Sequence, residues 1–127
     1  MTIHPIGDFH AIPNRPGMRL RKLVATDHEI TSFYIDEFIL DQGAAVPLHT
    51  HTIEEAFVVL SGTLEVRFGD ETLTVAAESV VRIPPGVPHS FRNPAPEPAR
   101  VLGAAAWNRA TFFREATTYL EGMPRTD

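Results

Sequence analysis

The sequence predicts an all-β fold, a barrel or two-sheet sandwich with an irregular N-terminal arm and one short C-terminal helix. Three observations carry that reading. Residues 18–106 break into short runs rich in Val, Ile, Thr and Phe, separated by Gly, Pro, Asp and Ser turn signals. One run, residues 32–41, is largely apolar on both alternating faces, as a strand covered on both sides would be. Only the tail changes period. There Phe112, Ala116 and Leu120 fall four apart, the spacing of one helix face.

Element by element, residues 1–17 form an arm broken by Pro5, Pro13, Pro16 and Gly17. Residues 18–25 read as a first strand, its Arg19-Leu20-Arg21-Lys22 cluster carrying solvated charges. Residues 32–41 are the second strand, with Phe33, Ile35, Glu37 and Ile39 on one face and Tyr34, Asp36, Phe38 and Leu40 on the other. Asp41-Gln42-Gly43 turns the chain into a strand-turn-strand unit that ends at Gly62. Further strands follow at 55–60, 63–68, 72–75 and 79–83, with turns at Ser61-Gly62 and Gly69-Asp70. Residues 89–92 and 100–106 complete the set. Pro94, Pro96 and Pro98 mark a loop between them. The helix is expected over about 109–121, capped by Asn108 and stopped by Gly122 and Pro124, with Phe113, Tyr119 and Met123 near its apolar stripe. Trp107, Phe112 and Phe113 read as core or interface residues.

Chemistry concentrates in two places. His49 and His51 lie two apart, so on a strand they point the same way, and Glu55 follows after a short break. A third histidine, His89, sits in a second unit, Pro84 to Asn93. Three imidazoles and a carboxylate are the inventory of a first-row transition-metal site. His4, His10 and His28 have no such company and read as packed or solvent-facing. Glu54 reads as outward or supporting, Asn93 as a turn or backbone hydrogen-bonding group, and Gly43, Gly62 and Gly86 as turn glycines.

These two runs resemble the cupins. Gly43, His49, His51, Glu55 and Gly62 match the first cupin motif, G-x5-H-x-H-x3-E-x6-G, at every fixed position. Pro84, Gly86, His89 and Asn93 match P-x-G-x2-H-x3-N of the second. One departure is Glu78, which stands where the second motif usually opens with a turn glycine. The resemblance covers residues 43–93, motif one at 43–62 and motif two at 78–93. It implies a double-sheet jelly roll, with His49, His51, Glu55 and His89 binding one divalent transition-metal ion. Iron, manganese and nickel come first, with zinc, copper and cobalt also compatible. If Glu55 faces the lumen, alternation sets Phe57 and Val59 beside it, and His89 brings Phe91. These three would wall a substrate pocket, with Glu37 as a candidate lumen-facing acid or base.

Length and composition bound the partners. The 127 residues fit a single domain, and 43% apolar with 21% charged residues is ordinary for a soluble globular protein. A formal charge of −5 argues against nucleic acid or an anionic membrane surface. No cysteine is present, which excludes disulfides and thiol chemistry. The first twenty residues hold no apolar run of signal-peptide type, and no stretch approaches the ~20 apolar residues of a membrane span, so a cytoplasmic location is expected. The expected partners are a small-molecule substrate and a second copy in a homodimer. Within the resemblance, a metal-dependent dioxygenase acting on a small apolar or enolisable molecule ranks first. A non-redox isomerase or lyase and a non-catalytic binding module are the alternatives.

Overall fold

The computed structural model describes residues 1–123. Its strands, in chain order, are β1 (His10–Ala11), β2 (Met18–Val24), β3 (Tyr34–Leu40), β4 (Ala45–His51), β5 (Glu55–Ser61), β6 (Thr63–Phe68), β7 (Glu71–Ala76), β8 (Ser79–Ile83), β9 (His89–Arg92), β10 (Ala99–Ala105) and β11 (Thr117–Tyr119). A 3-10 turn, Thr26–His28, follows β2, and one helix, α1 (Arg109–Arg114), precedes β11. One sheet runs β1-β2-β3-β10-β5-β8 and the other β11-β4-β9-β6-β7. Every pairing is antiparallel. The sheets face each other as a jelly roll and bury Leu20, Phe38, Leu40, Val46, Phe57, Val59, Leu64, Val66, Ile83, Phe91 and Val101 between them. No helix among the described residues is long and apolar enough to cross a membrane.

The face that β3 turns inward is decided by its neighbours. Asp36 is in register with Gly103 of β10, and Gly103 with Phe57 of β5. Tyr34, Asp36, Phe38 and Leu40 therefore share the lumen side with Phe57. Glu37 points the other way, and its place in a substrate pocket is corrected. It is buried on the outer face, where Arg21 of β2 and Arg100 of β10 both donate to its carboxylate. Arg21 is thus engaged rather than solvated, and Phe9 of the arm lies against its guanidinium at 4.5 Å. The same parity leaves Phe33, before β3 begins, 41% exposed.

Residue 48 re-phases β4. Val46 pairs with Phe91, but His49 rather than Leu48 pairs with His89. One extra residue therefore stands in β4 against Ser90, a β-bulge at Pro47-Leu48. Were these same residues an unbulged strand, strict alternation from inward-facing Val46 would send His49 and His51 outward.

The tail departs from the expected helix over 109–121. Asn108 does cap it, its side chain accepting from the Thr111 N–H at 3.0 Å. The helix ends at Arg114, and Thr117–Tyr119 becomes β11, paired with β4. The physical reason is an open sheet edge. Thr117, Thr118 and Tyr119 are β-branched and aromatic, and β4 offers unpaired backbone groups that a short strand satisfies. Of the two expected stop signals, Gly122 lies past β11 and Pro124 lies outside the described residues. Phe112 is fully buried, whereas Trp107 is 37% exposed. At Glu78 the backbone keeps the glycine-like turn despite the side chain, with φ 66° and its N–H donating to Val59 at 2.7 Å.

Candidate metal centre

His49 and His51 come from β4, Glu55 opens β5, and His89 opens β9 directly opposite His49. All four are buried, at 4%, 2%, 4% and 0% exposure respectively. The three rings cluster, with centroids 4.2 Å apart for His49 and His89, 4.7 Å for His49 and His51, and 4.9 Å for His51 and His89. One ligand atom from each histidine lies within 4.8 Å of those of the others. The expected imidazoles thus meet in one place, with the Glu55 carboxylate beside them.

Hydrogen bonds orient the rings. His49 Nδ1 bonds the Pro47 carbonyl at 2.7 Å, and His89 Nδ1 bonds the Val87 carbonyl at 2.9 Å. A carbonyl only accepts, so both Nδ1 atoms carry the proton and both Nε2 atoms carry the lone pair. Pro47 lies within the bulge, where the regular register of β4 is interrupted. His51 Nδ1 meets the Thr117 hydroxyl at 2.8 Å. Phe112 packs on the His51 ring at 4.2 Å, and Tyr119 stacks on His49 at 5.1 Å.

The inner ends of these groups are unsatisfied. His51 Nε2, His89 Nε2 and Glu55 Oε1 are buried and make no hydrogen bond among the described residues. Orphaned buried polar atoms cost free energy unless something outside the chain satisfies them. Glu55 Oε2 lies 3.4 Å from His51 Nε2, and Oε1 lies 3.7 Å from His89 Nε2. Donors about 2.1 Å from a common ion sit about 3.0–3.4 Å apart at tetrahedral or octahedral angles, so the two carboxylate spacings lie at or a few tenths of an ångström beyond that range, and the histidine atoms would draw together on an ion. The protonation states fit too. Burial, together with the neighbouring imidazoles His89 and His51, pushes His49 down to about 3. Burial works against ionisation of Glu55, but contact with His51 and His89 outweighs it and holds its carboxyl at about 2. At neutral pH the centre therefore presents an uncharged His49 and an ionised Glu55, as metal ligation requires.

Around this cluster the lumen is aromatic. A cavity of about 20 Å³ is bordered by Tyr34, Phe38, Val46, His49, Glu55, Phe57, Phe91, Gly103, Phe113 and Tyr119. Phe57 and Phe91 meet edge-to-face at 4.7 Å, and both border the cavity as expected. Val59 is buried farther along β5 and does not border it. Tyr34 was not anticipated in this role. Its hydroxyl donates to Glu55 Oε2 at 3.1 Å. Thr117 and Tyr119 were also missed, because their approach depends on β11 pairing with β4. The Tyr34 signal was present in the alternation of β3, whose inward face could not be chosen from sequence. Asp36, next inward on β3, is neutralised by Arg109 Nε at 2.8 and 3.0 Å. Glu54 is exposed and paired with Arg82. The Asn93 amide donates to the Leu40 and Glu97 carbonyls, a loop-fixing role.

A family profile described as "Cupin domain" matches residues 36–104, more than half of the chain. The chain belongs to the cupin family. This cupin is 29% identical over 101 residues to mannose-1-phosphate guanylyltransferase 2 of Escherichia coli O157:H7, a match spanning 80% of the chain and 18% of that protein. It is 36% identical over 73 residues to polyketide synthase CurC of Streptomyces cyaneus, spanning 57% of the chain and 47% of CurC. The chain thus spans less than half the length of either relative. Among solved structures, the polyketide cyclase RemF from Streptomyces resistomycificus superposes with a TM-score of 0.74 at 24% identity, covering 88% of this chain and 77% of RemF. That likeness extends to the fold.

Proposed function

We propose that His49, His51, Glu55 and His89 hold one divalent first-row transition-metal ion, and that this cupin is a metal-dependent enzyme acting on a small, largely apolar, enolisable molecule. The observation that carries the proposal is the convergence of orphaned Nε2 atoms and a carboxylate oxygen on one buried point beside an aromatic wall. When bound, the ion supplies a Lewis-acidic centre, redox-active where it is iron or manganese. The chain's own residues do the rest. Phe38, Phe57, Phe91 and Phe113 border the centre with apolar surface. Tyr34 holds Glu55, its single hydroxyl hydrogen donated to the carboxylate.

The dioxygenase-type oxidoreductase is the first reading. The cavity border carries no lysine and no acid besides Glu55, which favours this reading over isomerisation. The second reading, non-redox ring closure, draws on the likeness to CurC and on the polyketide cyclase RemF. Metal analysis of anaerobically purified protein, followed by oxygen-uptake assays with flavonols and diketones, separates the two. Iron or manganese with oxygen uptake supports the first, and turnover without oxygen supports the second. His89→Ala and His51→Ala should abolish stoichiometric metal binding, and wild-type affinity in both would sink the metal centre itself. We also propose a cytoplasmic homodimer joined through the outer face of the larger sheet, where Val80 is 70% exposed. A monomer by sedimentation at tens of micromolar would overturn the dimer.

A further inference from the structure

We propose that Thr117 is a positioning residue that selects the metal-ready tautomer of His51. The proposal deepens the metal-centre reading and rests on it for its functional meaning. The argument follows one proton. The Thr117 hydroxyl has a single hydrogen, and it donates that hydrogen to the Phe112 carbonyl at 2.7 Å. Toward His51 Nδ1, 2.8 Å away, Thr117 Oγ1 can then only accept. His51 must carry its proton on Nδ1, which leaves the Nε2 lone pair aimed at the centre.

The selection matters because His51 has a competing choice. Its Nε2 lies 3.4 Å from Glu55 Oε2. A proton on Nε2 would satisfy that carboxylate within the protein and block both ligands at once. His49 and His89 are locked by backbone carbonyls two residues before them, at Pro47 and Val87. His51 alone among the three is set by a side chain, from a strand 66 positions farther along the chain. The α1–β11 segment therefore completes the donor set without supplying a ligand. The Phe112 carbonyl fixes Thr117, Thr117 fixes His51, and the Phe112 ring packs on the same imidazole.

The test compares wild type, Thr117→Val and Thr117→Ser. Histidine tautomers are read by nitrogen NMR on metal-free protein, and affinity for Mn²⁺ or Zn²⁺ by calorimetry. Thr117→Val keeps the shape and removes the acceptor. It should move the His51 proton to Nε2 and weaken metal binding about 10–100-fold, the usual loss when a group supporting a ligand is removed. Thr117→Ser should restore both. An unchanged His51 tautomer with unchanged affinity in Thr117→Val would overturn the proposal. So would a serine variant as impaired as the valine one, since packing rather than the hydroxyl would then be responsible. If the wild type binds no divalent ion, the metal-centre reading fails, while the tautomer measured without metal still decides the role of Thr117.

Discussion

His49 and Glu55 are charged differently inside the fold than in the unfolded chain, and this shapes the acid response. His49 is held at about 3 against an ordinary 6.5, and Glu55 at about 2 against 4.5. Between each pair of values the unfolded chain binds a proton that the folded chain does not, so stability rises with pH there and falls on acidification. Metal-free protein should lose stability from about pH 6.5 downward, at about 1 kcal/mol per pH unit for one such histidine, and more steeply below about 4.5 as Glu55 joins. Glu37 adds in the same direction. Burial opposes its ionisation, but Arg21 and Arg100 hold its carboxyl below the ordinary value. Urea melts across pH should show this limb, and His49→Gln should flatten it between pH 6.5 and 4.5. A second residue-scale expectation concerns Glu78, whose left-handed backbone suits glycine. Glu78→Gly should raise stability by about 0.5–1 kcal/mol in thermal melts.

The residues proposed as ligands could be read from the sequence because their information is local. Two histidines at strand spacing, a carboxylate soon after and bounding glycines say where the donors lie on their own strands. The supporting residues were hidden because their information is in pairing. Whether Asp36 or Glu37 faces the lumen depends on Gly103 and Phe57 being in register with β3. Nothing within residues 32–41 breaks that tie, since both faces are largely apolar. The tail misled for a related reason. Its four-residue spacing holds through Phe112 and Ala116, and both are buried, but the backbone beyond Arg114 gains more from the β4 edge than from another helical turn.

At the scale of elements, α1 is pinned to the barrel by Arg109 on the buried Asp36 carboxylate, with the Arg109 guanidinium also 5.0 Å from the Phe113 ring. Arg109→Met should cost about 3 kcal/mol in urea unfolding, because it strands a buried carboxylate without its guanidinium. The double variant Asp36→Leu/Arg109→Met should recover most of that loss, since a buried ion pair contributes little net stability relative to an apolar pair. A double variant no more stable than Arg109→Met would mean that helix docking, not the stranded charge, dominates.

For the whole molecule, the apolar core between the sheets is independent of the metal centre. Leu20, Leu40, Leu64, Val66, Ile83 and Val101 are each 0% exposed. Chelation should therefore leave a β-rich, cooperatively melting protein by circular dichroism, unlike tiny zinc domains whose folding is their metal binding. A chain disordered after chelation would show that the core is not self-sufficient. Bound metal should still raise the melting temperature by mass action.

The bulge at Pro47-Leu48 also sets what kinds of genetic change the site can survive. Swapping Leu48 for another apolar residue keeps the count of residues along β4, and so keeps the phase of everything beyond it. Deleting Leu48 removes the extra position. His49 would then stand two places after Val46, where strict alternation keeps it and His51 inward without a bulge, but the Pro47 carbonyl that orients the His49 ring would leave its present place two residues before it. Inward phase should therefore survive the deletion while ring orientation does not. In a library of single deletions and substitutions across residues 45–48, scored by retention on a metal-affinity resin at matched expression, apolar substitutions at 48 should keep binding. The Leu48 deletion should keep a folded barrel with weakened retention. A deletion variant that binds as tightly as the parent would mean that the bulge is not needed to orient His49.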